Sequence, residues 1–246
     1  MKSGRIYIGT SGWEYKHWNG IFYPKNLPLK EHFNYYCERF DTVEINNSFY
    51  KLPAIKTFSA WRKSAPKDFL FAVKASRFIT HMKKLTTTKQ SHSKFFNRAE
   101  RLEHKLGPVL FQLPPRWKSN IDRLKHFLAK LPGHLRYTFE FREQSWYNKE
   151  VYQLLRDHNC AFCIYELEQH LSPLQVTADF IYIRLHGPGN KYQGSYRDSQ
   201  LKKWAKFCLQ WQRKGKDIFV YFDNDQEAYA VFNALSLKTF VQGMSK

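Results

Sequence analysis

Cysteine is scarce in this chain of 246 residues: Cys37, Cys160, Cys163 and Cys208 are all it has. Four thiols without framework spacing exclude a disulfide-stapled secreted domain and fit a reducing compartment. Only CAFC, residues 160–163, resembles a motif, and no second C-x-x-C accompanies it. On a strand, residues three apart point to opposite faces, so this pair cannot jointly hold a metal ion. Long apolar runs are missing too. No stretch approaches the roughly 18 apolar residues of a membrane span, and MKSGRIYIGT lacks the apolar core of a secretory signal. The expectation is a soluble, cytoplasmic protein with no membrane partner. Three motifs are absent as well: G-x-G-x-x-G after the first apolar run, G-x-x-x-x-G-K-[ST], and G-x-S-x-G.

Acid is the third shortage. Lys and Arg number 40 against 21 Asp and Glu, a net charge of +19. The excess is local: residues 51–130 carry 19 basic and 4 acidic side chains. A field of that size attracts polyanions such as nucleic acid, or steers phosphorylated or carboxylated small molecules; a solvated basic face without a partner is the plain alternative. What is plentiful argues for a core. Hydrophobic residues make up 43% and aromatics 17%, and the length suits one domain spanning 1–246.

Eight strand-like apolar runs punctuate the chain: 6–9, 42–45, 69–73, 109–113, 137–141, 161–165, 180–185 and 218–222. Helical periodicity occupies 29–40, 55–65, 94–106, 121–131, 151–158 and 201–215 between them, with Gly107, Pro132 and Gly215 as stop signals. Eight β/α alternations in this length predict an α/β fold, a single (β/α)8 TIM-like barrel, with an open doubly wound sheet as the alternative. Residues 167–179 are too irregular for a good crossover helix. HMKKLTTTKQSHSK, residues 81–94, reads as a long polar insertion.

In such a barrel the chemistry gathers at the C-terminal strand ends, and these are polar. IFVYFDNDQE, residues 218–227, runs from five strand formers straight into Asp223, Asn224 and Asp225. Parity sharpens the pattern: Val43 and Ile45 oppose Thr42, Glu44 and Asn46, while Phe139 and Phe141 oppose Thr138, Glu140 and Arg142. Tyr182, Arg184 and His186 likewise share one face. The inward set therefore pairs Glu44, Glu140, Glu166 and Asp223 with Lys74, Arg142 and Arg184. A self-satisfying ion network would explain it, but all these groups stand late in their strands.

Glu44, Lys74, Glu140, Arg142, Arg184, His186 and Asp223 are the candidate catalytic residues. Paired carboxylates beside cations divide acid and base roles, and His186 carries a proton near neutrality. Glu44, Glu140, His186 and Asp223 would also suit a divalent metal, so the cofactor is open. Lys74, Arg142 and Arg184 would clamp a carboxylate or phosphate. Trp13, Asn46, Tyr50, Gln112, Glu166, Asn224 and Asp225 are the candidate substrate-binding residues, Trp13 and Tyr50 being the aromatics best placed for contact.

The blocks IGTSGWEYKHWNGIFYP (8–24), TVEINNSFYKLP (42–53), FAVKASRFITH (71–81), KLGPVLFQLPP (105–115), FEFREQSW (139–146), YIRLHG (182–187) and YFDND (221–225) resemble the DUF72 (YecE-like) family over nearly the whole chain. The resemblance implies a TIM barrel and places family positions on Gly12, Trp13, Trp18, Glu44, Asn46, Phe49, Tyr50, Lys74, His81, Gln112, Glu140, Arg142, Trp146, Arg184, His186, Asn224 and Asp225. Three positions depart: Glu143 stands where His is usual, Asp223 where Asn is usual, and Glu166 where Asp is common.

Three functions fit. The first is an enzyme of hydrolase, lyase or isomerase type, using acid/base or metal-assisted chemistry on an anionic or polyhydroxylated (sugar-like) small molecule. Under it, Arg184→Met is expected to abolish turnover with melting nearly unchanged or raised. The second is a nucleic-acid-binding or -processing protein using residues 51–130. The third is a non-catalytic ligand-binding module.

Overall fold

Runs of β-branched and aromatic residues become strands in this computed structural model, which describes residues 3–86 and 89–245. The strands are β1 (Ile6–Thr10), β2 (Thr42–Ile45), β3 (Leu70–Lys74), β4 (Leu106–Gln112), β5 (Tyr137–Glu140), β6 (Ala161–Leu167), β7 (His170–Leu171), β8 (Phe180–Leu185) and β9 (Asp217–Phe222). The helices are α1 (His32–Cys37), α2 (Asn47–Tyr50), α3 (Ile55–Ser64), α4 (Lys89–Ala99), α5 (Ile121–Leu128), α6 (Lys149–Asp157), α7 (Asp198–Arg213) and α8 (Tyr229–Met244). All eight expected strands form, with boundaries shifted by three residues or fewer.

The chain divides into two compact units, Met1–Glu44 with Ile164–Leu174 and Asp179–Lys246, and Ile45–Cys163 with Gln175–Ala178. In the first, β9 lies between β1 and β8 in parallel register, Ile6 and Ile181 both opposite Ile218. A parallel bridge between Ser11 and Glu44 carries β2 alongside the end of β1. Residues Leu201, Trp204, Ala205, Cys208 and Leu209 form the buried stripe of α7, one face at helical spacing. Each large side chain in that stripe contributes about 1.5–3 kcal/mol by leaving water.

In the second unit β3, β4, β5 and the start of β6 pair in parallel. Phe111 of β4 stacks on its register partner Phe139 at 5.2 Å, and Phe127 of α5 meets Phe111 edge-on at 5.0 Å. Helix α5 starts where Asn120 accepts from the Arg123 amide (2.9 Å), and α6 where Asn148 accepts from Val151 (2.9 Å). Those two caps satisfy donors that a helix start leaves open.

As their irregularity predicts, residues 167–179 hold no crossover helix; β7 turns back antiparallel onto β6 there, with Glu166 opposite Leu171. Two features differ from the sequence reading. The supposed insertion 81–94 is partly helix, since α4 starts at Lys89; Thr87 and Thr88 within it lie outside the described residues. Helix α8 followed the last recognised strand unannounced. Its sequence YAVFNALSLKTFVQGM is apolar on most sides, so it shows no single stripe, and it packs on both α7 and β1. No helix among the described residues is long and apolar enough to cross a membrane.

Candidate active site

At the end of the first unit's strands stands a buried arginine. Arg184, the fifth residue of β8, is 1% exposed, and the Glu44 carboxylate facing it from β2 is 0% exposed. The guanidinium meets it fork to fork, Nε at 3.0 Å from Oε2 and Nη2 at 2.7 Å from Oε1. Glu44 also accepts from the Ser11 hydroxyl (2.5 Å) and the Tyr182 hydroxyl (2.6 Å). Burial, followed by the negative charge of Glu44, pushes the Tyr182 phenol well above its ordinary range, so it stays a donor. Glu44 is thus closed off on both oxygens. A buried charge needs such saturation to be tolerated at all.

The same arginine reaches Asp223, just beyond β9, with Nη2 at 3.0 Å from Oδ2. His186 touches both partners: Nδ1 is 3.0 Å from Asp223 Oδ2, and Nε2 is 3.4 Å from Arg184 Nη1. Guanidinium only donates, so Nε2 is the acceptor and Nδ1 carries the proton. His186 is 0% exposed whereas Asp223 is 17% exposed. Of these side chains, Asp223 is the one that reaches solvent. Gly187 follows with φ +111°, a conformation open chiefly to glycine, and a Cβ there would stand 2.2 Å from the Gln193 carbonyl oxygen.

Asp225 lies two residues further on, 14% exposed, and accepts from the Trp18 indole (2.7 Å) with His17 at 3.0 Å. Burial raises its pKa from 3.8 to about 6; Trp18 and His17 pull it down, and the charge of Asp223 pushes it up again. Trp18 itself is wholly buried. Trp18→Phe keeps most of that packing and removes the indole donor. We expect the Asp225 midpoint to rise by about one to two units, since a charge-assisted hydrogen bond is worth about 1.5–3 kcal/mol. Carbon-detected NMR titration of Asp225 checks this, and an unmoved midpoint refutes it.

The second unit brings together Glu140, Arg142, Lys74 and His81. Arg142 Nε is paired with Glu140 Oε1, and Cys163 Sγ lies 3.8 Å from the other oxygen. Cys160 instead points to the His158 carbonyl (3.4 Å), so the two cysteines of CAFC diverge as strand parity requires. Lys74 Nζ stands 4.4 Å over the Phe49 ring.

Other expected residues are placed elsewhere. Glu166 sits beside Trp204 and Lys203 of α7, on the opposite strand face from the Arg184 group. Asn224 is fully buried and donates to the Gly194 carbonyl (2.8 Å) and Asn233 of α8 (2.9 Å), where it ties the loop to the helix. Trp13 is 8% exposed and packs on Phe33, whereas Tyr50 is 74% exposed. Gln112 donates to the neighbouring Leu113 carbonyl (2.9 Å). Asn46 keeps a buried Oδ1 with no partner among the described atoms.

Strand parity puts Tyr182 on the inward face with Arg184, though not among the candidate site residues; His17 is absent from the candidates because it lies in a loop whose path no periodicity reveals. Among the described residues no three of His, Cys, Asp and Glu gather to hold a metal ion, because Arg184 occupies the oxygens of Glu44 and Asp223. Part of the basic excess lines a cavity of about 440 Å³ along α5, with Arg123, His126 and Lys130 on its wall.

Residues 7–246 match the family model "Protein of unknown function DUF72". The chain is 27% identical to UPF0759 protein YunF of Bacillus subtilis over 93% of this chain and 92% of that one. It is 30% identical to YecE of Escherichia coli over 58% and 51%. A DUF72 crystal structure from Thermotoga maritima superposes with a TM-score of 0.88 at 28% identity, covering 97% of this chain and 99% of the other. An Enterococcus faecalis DUF72 structure shares the fold at 19% identity and a TM-score of 0.80, over 96% and 95%. With eight barrel strands joined through helices at every crossover but the one after β6, and with this likeness, the chain has the (β/α)8 TIM-like barrel fold and belongs to the DUF72 family.

Proposed function

We propose that this protein is an enzyme of acid/base type whose proton-handling pair is Asp223 and Asp225, with a small polyhydroxylated molecule as substrate. The observation that supports this reading is their opposed surroundings. Asp223 lies against the Arg184 cation, whereas Asp225 is largely buried and holds its proton up to about pH 6. Two carboxylates in unlike surroundings, two residues apart and both reaching solvent, suit a division into base and acid.

Exposure assigns the other roles. Glu44, Arg184 and His186 are 0–1% exposed, so they act through Asp223 as positioning residues. Paired carboxylates accept hydroxyl hydrogens and repel anions, which favours the sugar-like substrate over the anionic one at this site. The Tyr192 ring, 40% exposed and 5.4 Å from His186, offers a face for such a ring to stack on.

The test is a panel of chromogenic glycosides and free sugars, scored for hydrolysis and isomerisation. Asp225→Asn should lower kcat of any accepted compound by about 10²–10⁴-fold, and the limb of the rate profile near pH 6 should vanish with it. Turnover that survives both Asp223→Asn and Asp225→Asn rules this assignment out. Saturable binding without turnover identifies a ligand-binding module instead.

A further inference from the structure

The second unit carries a basic face that the acid/base reading leaves unused. Residues 116–130 hold five Lys and Arg against one acid, Asp122. Helix formation gathers part of them: Arg123 and His126 stand three apart on one face of α5, and Lys130 follows just past its C-terminal end. All three line the same cavity of about 440 Å³. The Arg123 guanidinium lies 5.9 Å over the Trp117 ring, and Lys130 is exposed. Among the described residues no carboxylate pairs with either cation.

The cavity has two unlike sides. Leu85 and Phe127 are buried and supply carbon to its inner wall, whereas His126 and Lys130 are exposed at its rim and Arg123 is half-buried. Asp122, the one acid on the wall, turns its main-chain carbonyl to His126 Nδ1 (2.7 Å). That nitrogen therefore carries a proton, and Nε2 accepts unless the ring takes up a second one. Arg123 and Lys130 supply the fixed positive charge. Behind this wall His92 packs on Phe127 with ring centroids 5.1 Å apart; it is 9% exposed, and its Nε2 has no partner among the described residues. Burial first, then the charge of Lys130, lowers the His92 pKa, so this ring reads the charge at the cavity from inside.

We propose that this cavity binds a nucleotide, either free or within a single strand of nucleic acid. Arg123 and Lys130 would donate to the phosphate in charge-assisted hydrogen bonds, the base would lie against the apolar inner wall, and Asp122 would accept from ribose hydroxyls. A plain inorganic anion would leave the inner wall unused. The volume suits one nucleotide unit and is too small for a duplex. This site lies in the second unit and does not depend on the Asp223 and Asp225 assignment.

The probes are AMP, a short oligoadenylate and inorganic phosphate, titrated into the full-length protein at fixed ionic strength while the His126 and His92 rings are followed by NMR. AMP or the oligoadenylate should bind saturably, shift the His126 resonances and raise the His92 midpoint. Tighter binding of AMP assigns the site to a free nucleotide. Tighter binding of the oligoadenylate, counted per nucleotide and falling steeply with salt, assigns it to a strand. Arg123→Gln with Lys130→Gln should weaken the preferred probe by about tenfold or more. Lys130→Gln alone, at an exposed position that folding tolerates, should weaken it several-fold. Lys206→Gln with Lys214→Gln removes the same charge from exposed positions in the first unit and should leave affinity nearly unchanged. An equal loss in both double variants shows attraction to overall charge alone and overturns the proposal. So does inorganic phosphate that binds as tightly as either nucleotide probe, or a pair of histidine rings that no probe moves.

Discussion

Replacing Arg184 by Met should cost about 3–5 kcal/mol of folding stability, because it leaves the Glu44 carboxylate charged, buried and short of its cation. Ser11 and Tyr182 still donate to Glu44, yet two neutral hydroxyls do not balance a charge with no access to water. Glu44→Gln should cost less, since Arg184 then keeps Asp223 as an acidic partner. The informative variant is the pair Glu44→Met with Arg184→Met. Two apolar side chains of like volume remove both desolvation penalties, so the double variant should be more stable than either single one. Urea denaturation of the four proteins measures this directly. An Arg184→Met protein within about 1 kcal/mol of the parent would show that the fork-to-fork pair does not support the fold. Parity by itself predicts the opposite, unchanged or raised melting, because it gives direction but not the degree of burial.

The second large effect is a pH dependence of stability that belongs to Asp225. With its pKa raised from 3.8 to about 6, the folded protein keeps a proton that the unfolded chain releases between those values. The folded state then binds more protons than the unfolded one, so stability falls as pH rises from about 4 to 6. Two pKa units amount to a loss of about 3 kcal/mol at most, reduced by whatever His17 recovers when it is protonated. His81 works in the other direction. Its pKa is lowered from 6.5 to about 4, so its contribution is present above 6.5 and lost as pH falls through that window. The two nearly overlap, and the whole-protein curve hides both. The difference between parent and Asp225→Asn separates them, because His81 titrates alike in each. That difference should shift against the parent by up to about 3 kcal/mol between pH 4 and 6 and stay level above it. A flat difference across the window would show that Asp225 ionises as it would in water.

These two results bear on separate parts of the site. Arg184 and Glu44 concern what holds the strand ends together, and Asp225 concerns what is left able to exchange a proton. Loss of turnover in Asp225→Asn with stability gained above pH 6 is the combination expected of a functional acid held in an unfavourable place. Loss of both would indicate a structural residue.

Sequence alone determined the strands, and strand parity determined which residues face each other. Glu44, Tyr182, Arg184 and Asp223 were placed on one side of their strands because side chains alternate with period two and the helix-facing layer must be apolar. The opening of β9 into acid follows from the same rule: Asp223 and Asp225 take the inner face, and Asn224 between them turns to α8. Parity could not settle Glu166, where the strand runs on into the β7 turn and the side chain ends beside α7. Helix α8 is not legible in the sequence, because an apolar surface on most sides carries no periodic signal. Only tertiary structure decided how far each charge is sealed from water, and the pKa of Asp225 depends on that sealing. His17 and Trp18 come within 3.0 Å of it from 207 or more residues away in the chain, a meeting that no local pattern encodes.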